Sequence, residues 1–78
     1  MSEARERFIH LAEARTTKAI KMLRLISNLS NTSNYSYTDR DVAQIFGALE
    51  SELKMARRRF TESRRSAKSA DFSLDGDQ

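Results

Sequence analysis

Arginines and lysines concentrated between residues 54 and 68 are the side chains best suited to binding. This segment carries seven basic residues against Glu62 alone. Residues 1–53 are neutral, and residues 69–78 carry three aspartates, which together account for the net charge of +3. Arginine forks bind phosphate oxygens in pairs, so such a concentration of positive charge suits an anionic partner.

Five of these side chains fall on one side of a helix, within an arc of about 120°. We call them the basic ridge: Lys54, Arg57, Arg58, Arg64 and Arg65. Two interpretations stay open. In the first, the ridge is a phosphate-binding surface for nucleic acid. In the second, it is a solvated face whose positive charges stabilise the negative end of the helix dipole or contact an acidic protein. No aromatic side chain interleaves with the ridge, which argues against stacking of single-stranded bases.

A polar stretch rich in asparagine, serine and tyrosine, residues 28–37, forms a second candidate surface, which we call the polar loop. Amides and aromatic rings of this kind can bind a partner protein. Its candidate binding residues are Asn28, Asn31, Asn34 and Tyr35. The alternative is purely local, because asparagines also cap helices and form turns.

Arg15 is the third candidate, because it falls in the middle of the apolar side of the first helix. A charged group in such a position needs a partner if it is buried. If the two helices pair antiparallel about the loop, Arg15 lies opposite Glu52. One interpretation is therefore structural: Arg15 forms a salt bridge with Glu52, or its side chain reaches past the core to solvent. The other is that Arg15 binds an acidic group of a partner protein.

This sequence contains few residues that could support catalysis or bind a metal ion. There is no cysteine and only one histidine, His10. Glu6 and Glu13 flank it at helical spacing, but all three fall on the side opposite the apolar residues. No glycine-rich loop is present to cradle a phosphate. The sequence therefore predicts a protein that is not an enzyme and has no catalytic residue, metal or cofactor.

Two helices must position these surfaces. Proline is absent and only two glycines occur, which favours helix. Apolar residues recur at helical spacing and fall within about 120° in the first segment and about 100° in the second. These apolar stripes consist of Phe8, Leu11, Ala12, Ala19, Met22, Leu23, Ile26 and Leu29, and of Val42, Ile45, Phe46, Leu49, Leu53, Ala56 and Phe60. The prediction is an all-α fold with helices at about residues 3–28 and 39–67.

The start of the second helix carries its own signals. Thr38 is an N-cap candidate, and the carboxylate of Asp41 can reach back to the Thr38 amide, as in a capping box. Tyr37 and Val42 then occupy the two positions of a hydrophobic staple, in which apolar side chains pack across the helix start. These residues, together with Glu52, are predicted to be structural.

A short connection predicts that the helices are antiparallel neighbours, forming a hairpin over residues 1–68. The acidic tail, residues 69–78, is predicted to be disordered. Two amphipathic helices cannot cover each other's stripes completely, so the preferred assembly is a homodimeric four-helix bundle. The alternative is a monomer whose apolar face receives a different protein.

The stretch Asn28-Leu-Ser-Asn-Thr-Ser-Asn-Tyr-Ser-Tyr-Thr38, with residues 15–18 before it and Ile45, Phe46 and Phe60 after it, resembles a group of small uncharacterised bacterial helical proteins. The resemblance covers the hairpin and implies no activity. The predicted architecture also looks like that of ROP, a plasmid protein whose hairpin dimer binds paired RNA loops. No motif is shared with ROP, and shape alone does not carry function.

No apolar run approaches the roughly 20 residues that cross a bilayer, and the charged N-terminus does not resemble a secretion signal. We therefore expect a cytoplasmic protein without membrane contact. The expected function is that of a small non-enzymatic accessory or regulatory protein, which acts through contacts with an unidentified protein partner. The alternative is a dimeric nucleic-acid-binding protein that uses the basic ridge on phosphates. Salt dependence distinguishes the two, because phosphate contacts weaken steeply with salt.

Overall fold

The computed structural model describes the backbone of residues 2–75 and the side chains of residues 2–66. Helix α1 spans Glu3–Ser27, a short 3-10 turn spans Asn28–Ser30, and helix α2 spans Asp39–Asp75. Two compact units, Met1–Tyr37 and Thr38–Gln78, contain α1 with the polar loop and α2, respectively. The part of the chain that the structure describes contains no strand, so the all-helical class is confirmed.

Helix α1 is capped at both ends by nearby groups. The Ser2 hydroxyl oxygen accepts a hydrogen bond from the Arg5 amide at 3.0 Å, which satisfies a donor that the first turn leaves unpaired. At the other end, the Asn28 amide and the Ser27 hydroxyl both donate to the carbonyl of Arg24, the hydroxyl at 2.8 Å. The helix thus begins and ends within one residue of the predicted bounds.

Helix α2 begins at Asp39, as predicted, but continues past the predicted end at residue 67 to Asp75. The physical reason is that no proline or glycine interrupts the chain between Gly47 and Gly76. The side chains after residue 66 and the last three residues lie outside the described part. The disorder predicted for the acidic tail, residues 69–78, therefore stays a prediction.

None of the side chains described, residues 2–66, is buried. Most members of the two apolar stripes are exposed, and only Ala12, Ile26 and Leu49 among them are half-buried. The antiparallel hairpin and the homodimeric bundle stay predictions. Within the described residues, no helix has the length and apolarity that crossing a membrane requires.

Candidate binding surfaces

The polar loop is held together by hydrogen bonds that centre on Asn31. Its amide donates to the carbonyl of Asn28 at 3.4 Å. Its side-chain oxygen Oδ1 accepts from the Ser33 amide at 2.9 Å, which is the pattern of an Asx turn. Its carbonyl accepts from the amides of Asn34 and Tyr35 at 3.1 and 3.0 Å. One asparagine therefore organises two successive turns.

Tyr37 closes the same loop from its far end. The tyrosine hydroxyl donates to the carbonyl of Ser30 at 3.0 Å, across seven residues of chain. This contact joins the end of the polar loop to the 3-10 turn that follows α1. A side-chain hydrogen bond thus holds the loop together, in addition to its backbone hydrogen bonds.

The hydrogen bonds divide the predicted loop residues into two kinds. Asn28 caps α1 and Asn31 organises the turns, so the local interpretation accounts for these two. Asn34 and Tyr35 contribute their backbone amides to the loop, and their side chains are exposed, with the Tyr35 ring 48% accessible. Among the described residues, the Tyr35 hydroxyl meets no hydrogen-bond partner. Asn34 and Tyr35 are therefore the loop residues best placed to meet a partner.

Sequence analysis missed the role of Asn31 as the centre of the loop and the bond from Tyr37 to Ser30. A signal for the first was present, because asparagine followed two residues later by a free amide is the usual setting of an Asx turn. No comparable signal marks the second, since a tyrosine hydroxyl has many carbonyls within reach.

The predicted capping hydrogen bonds are present at the start of α2. The Asp41 amide donates to the hydroxyl oxygen of Thr38, and the Thr38 amide donates to a carboxylate oxygen of Asp41, both at 3.0 Å. Two donors that the helix start would leave open are thereby satisfied reciprocally. The staple between Tyr37 and Val42 stays a prediction.

All five side chains of the basic ridge are exposed on α2. A feature that sequence analysis missed lies between them, at Thr61. Counting three and four residues in each direction from Thr61 gives arginine every time: Arg57, Arg58, Arg64 and Arg65. On an α-helix these are the four nearest surface neighbours. The Thr61 hydroxyl donates to the carbonyl of Arg57 at 3.4 Å. Helical spacing alone was a sufficient signal for this arrangement.

Arg15 on α1 and Glu52 on α2 are both exposed. Pairing of Arg15 with Glu52 stays a prediction. A different arginine makes a contact that was not anticipated: the Arg5 guanidinium lies 5.8 Å from the centre of the Phe8 ring, within cation–π range. This pair sits one helical turn from the start of α1.

His10 is exposed on α1. Across the described residues, the structure brings together no group of three side chains that could hold a metal ion. Comparison of the chain with protein-family models, with curated proteins and with solved structures finds no match.

Proposed function

We propose that this chain is a non-enzymatic accessory or regulatory protein that acts through protein–protein contacts. In this proposal its helices pair as an antiparallel hairpin, and two hairpins form a four-helix bundle. The observation that carries it is the exposure of both apolar stripes, because a helix with an apolar side is stable only when another surface covers that side.

The size of the uncovered stripes supports packing against further helices. On α2, Leu53 and Phe60 are 64% and 60% exposed, and on α1 Met22 is 55% exposed. Complete burial of such a side chain stabilises by roughly 1.5–3 kcal/mol relative to full exposure. Each half-exposed member therefore gains about 1 kcal/mol when a partner helix covers it. A second copy offers a stripe of matching character in a closed, twofold arrangement.

The chain contains a matched pair of residues for testing this assembly. Leu53 belongs to the stripe of α2, whereas Met55 is 54% exposed on the other side of the same helix. Sedimentation equilibrium of the full chain should give twice the 9.0 kDa chain mass. Leu53→Gln should weaken the dimer and Met55→Gln should leave it unchanged. A monomer at all concentrations, or equal effects of the two substitutions, contradicts the bundle.

For the contact with a different protein, the proposal uses the polar loop. Its hydrogen bonds hold Asn34 and Tyr35 in place before any partner arrives, which lowers the entropy cost of binding. A photo-crosslinking amino acid at Tyr35 should capture one protein of defined mass in cells that make this chain. The same probe at Ser51, exposed on α2, serves as the control. Equal capture from both positions, or none from Tyr35, contradicts this use of the loop.

Nucleic-acid binding through the basic ridge is the second candidate function, and one observation favours it. All five ridge side chains are exposed on one side of a single helix. Under the protein-contact proposal, reversing the charges of Arg57, Arg58, Arg64 and Arg65 leaves function intact in a folded protein. Loss of function from that variant, with duplex binding that weakens steeply with salt, would favour the second candidate.

A further inference from the structure

We propose that the four arginines around Thr61 form a binding site for a backbone phosphate of double-stranded nucleic acid. This inference rests on the second candidate function and deepens it, because it names the point on the ridge where a phosphate sits. The site, which we call the arginine ring, consists of Arg57, Arg58, Arg64 and Arg65 with Thr61 at its centre.

Helical geometry places the ring around a small residue. Side chains three and four positions apart on a helix have Cβ atoms about 5–6 Å apart, well within the reach of an arginine. The Thr61 side chain is short, and its hydroxyl bonds to the backbone carbonyl of Arg57 instead of projecting outward. The centre of the ring therefore lies close to the helix backbone. Four guanidinium groups can converge above it on one anion.

The acidic side chains of α2 neutralise only a small part of the ring's positive charge, so the ring favours a phosphate from outside the chain. Glu62 is the only acidic residue in the segment 54–68, and it is a helical neighbour of Arg58 and Arg65 but not of Arg57 and Arg64. Most of the positive charge is left without a nearby opposite charge on α2. Arginine forks form short, paired hydrogen bonds with phosphate oxygens, and an anion at the centre also relieves repulsion within the ring.

The form of the ring favours a duplex over a single strand. Lys54 extends the positive charge along the same side of α2, so the ridge spans about 16 Å at 1.5 Å per residue. A straight row of cations suits the regular spacing of phosphates along a duplex. Single strands are bound mainly by stacking of bases on aromatic rings, which this side of α2 does not offer.

The test places a carboxylate at the centre of the ring. Thr61→Glu fills the phosphate position with an internal anion, and its pairs with Arg57 and Arg65 keep the helix stable. The matched control is Gln44→Glu, because Gln44 is exposed on α2 outside both the basic ridge and the apolar stripe, and the substitution changes the net charge equally. Circular dichroism checks that both variants of the full chain are as helical as the parent.

Binding is measured by fluorescence anisotropy with a labelled 20-base-pair DNA duplex at 50, 100 and 200 mM salt. The parent should show a log–log salt slope of about −1.8, from one phosphate at the ring and one at Lys54, at about 0.9 each. Thr61→Glu should weaken binding about tenfold or more and reduce the magnitude of the slope by about one, because the phosphate at the ring is lost. Gln44→Glu should weaken binding by less than about threefold, since it leaves the ring intact.

The possible failures are distinguishable. Tight duplex binding with equal losses in the two variants overturns the ring as the phosphate site, while the ridge survives as a nucleic-acid surface. No duplex binding by the parent overturns both the ring and the second candidate function. A second pair of variants applies if Thr61→Glu is less helical than the parent: Arg57→Gln with Arg65→Gln should weaken binding, and the charge-matched control Arg7→Gln with Arg59→Gln should not.

Discussion

Replacing Tyr37 with phenylalanine removes a single hydroxyl and leaves the aromatic ring in place. In the parent that hydroxyl donates to the carbonyl of Ser30 at 3.0 Å and closes the polar loop. A hydrogen bond of this kind contributes about 0.5–1.5 kcal/mol net. Because the Tyr37 side chain is 41% exposed, water competes for the carbonyl and the contribution falls at the lower end, about 0.5–1 kcal/mol.

That loss should be visible in the amides that the closed loop protects. The amides of Asn34 and Tyr35 donate to the carbonyl of Asn31 inside the loop, so they exchange with water when the loop opens. A destabilisation of about 0.5–1 kcal/mol raises the open population roughly two- to fivefold. Exchange of these two amides in Tyr37→Phe, measured by NMR, should accelerate by the same factor.

Two internal comparisons make the result decisive. Tyr35→Phe removes the other tyrosine hydroxyl of the loop, which meets no partner among the described residues, so it should leave exchange unchanged. The Val42 amide, which donates to the carbonyl of Thr38 at 3.2 Å, should exchange at the parent rate in both variants. Equal acceleration in the two variants, or none in Tyr37→Phe, would show that the tyrosine hydroxyl does not close the loop.

Three further predictions concern stability, measured by urea unfolding at one fixed chain concentration. Thr38→Ala should cost about 1 kcal/mol through loss of the cap, and Thr38→Ser should restore most of it; equal losses would refute the capping role. Gly47→Ala should stabilise by about 0.5–1 kcal/mol, because a Cβ at this helical position meets nothing within 4 Å, and no gain would contradict this. Arg15→Met should destabilise the hairpin, with much of the loss recovered by adding Glu52→Leu; absence of recovery would exclude that ion pair.

Local features of the fold followed from the sequence because their causes lie within a few residues. The reciprocal bonds of Thr38 and Asp41 need only residues three apart with the right side chains. The end of α2 was harder to predict, because no breaker marks it before Gly76. The residue at which α2 ends depends on the helix propensity summed over the whole segment, and the residue types near the end do not determine it alone.

The candidate sites show the same division. The position of the basic ridge on one side of α2 could be predicted, since helical periodicity alone places its members within about 120°. The hydrogen bond from the Tyr37 hydroxyl to the Ser30 carbonyl could not, because a tyrosine hydroxyl has many carbonyls within reach. Pairing of Arg15 with Glu52 depends on how two helices pack, and single-helix periodicity carries no information about that distance.

The short span of the loop's hydrogen bonds has a consequence for the order of folding. None of the bonds that shape the polar loop joins residues more than seven positions apart. Contacts this local form on the microsecond scale and at a rate that does not depend on chain concentration. Association of two chains is a bimolecular step, and it slows as the protein is diluted. We therefore expect refolding in which the loop and helix starts appear first. In the proposed dimer, a slower, concentration-dependent phase follows, when a second chain covers the apolar stripes.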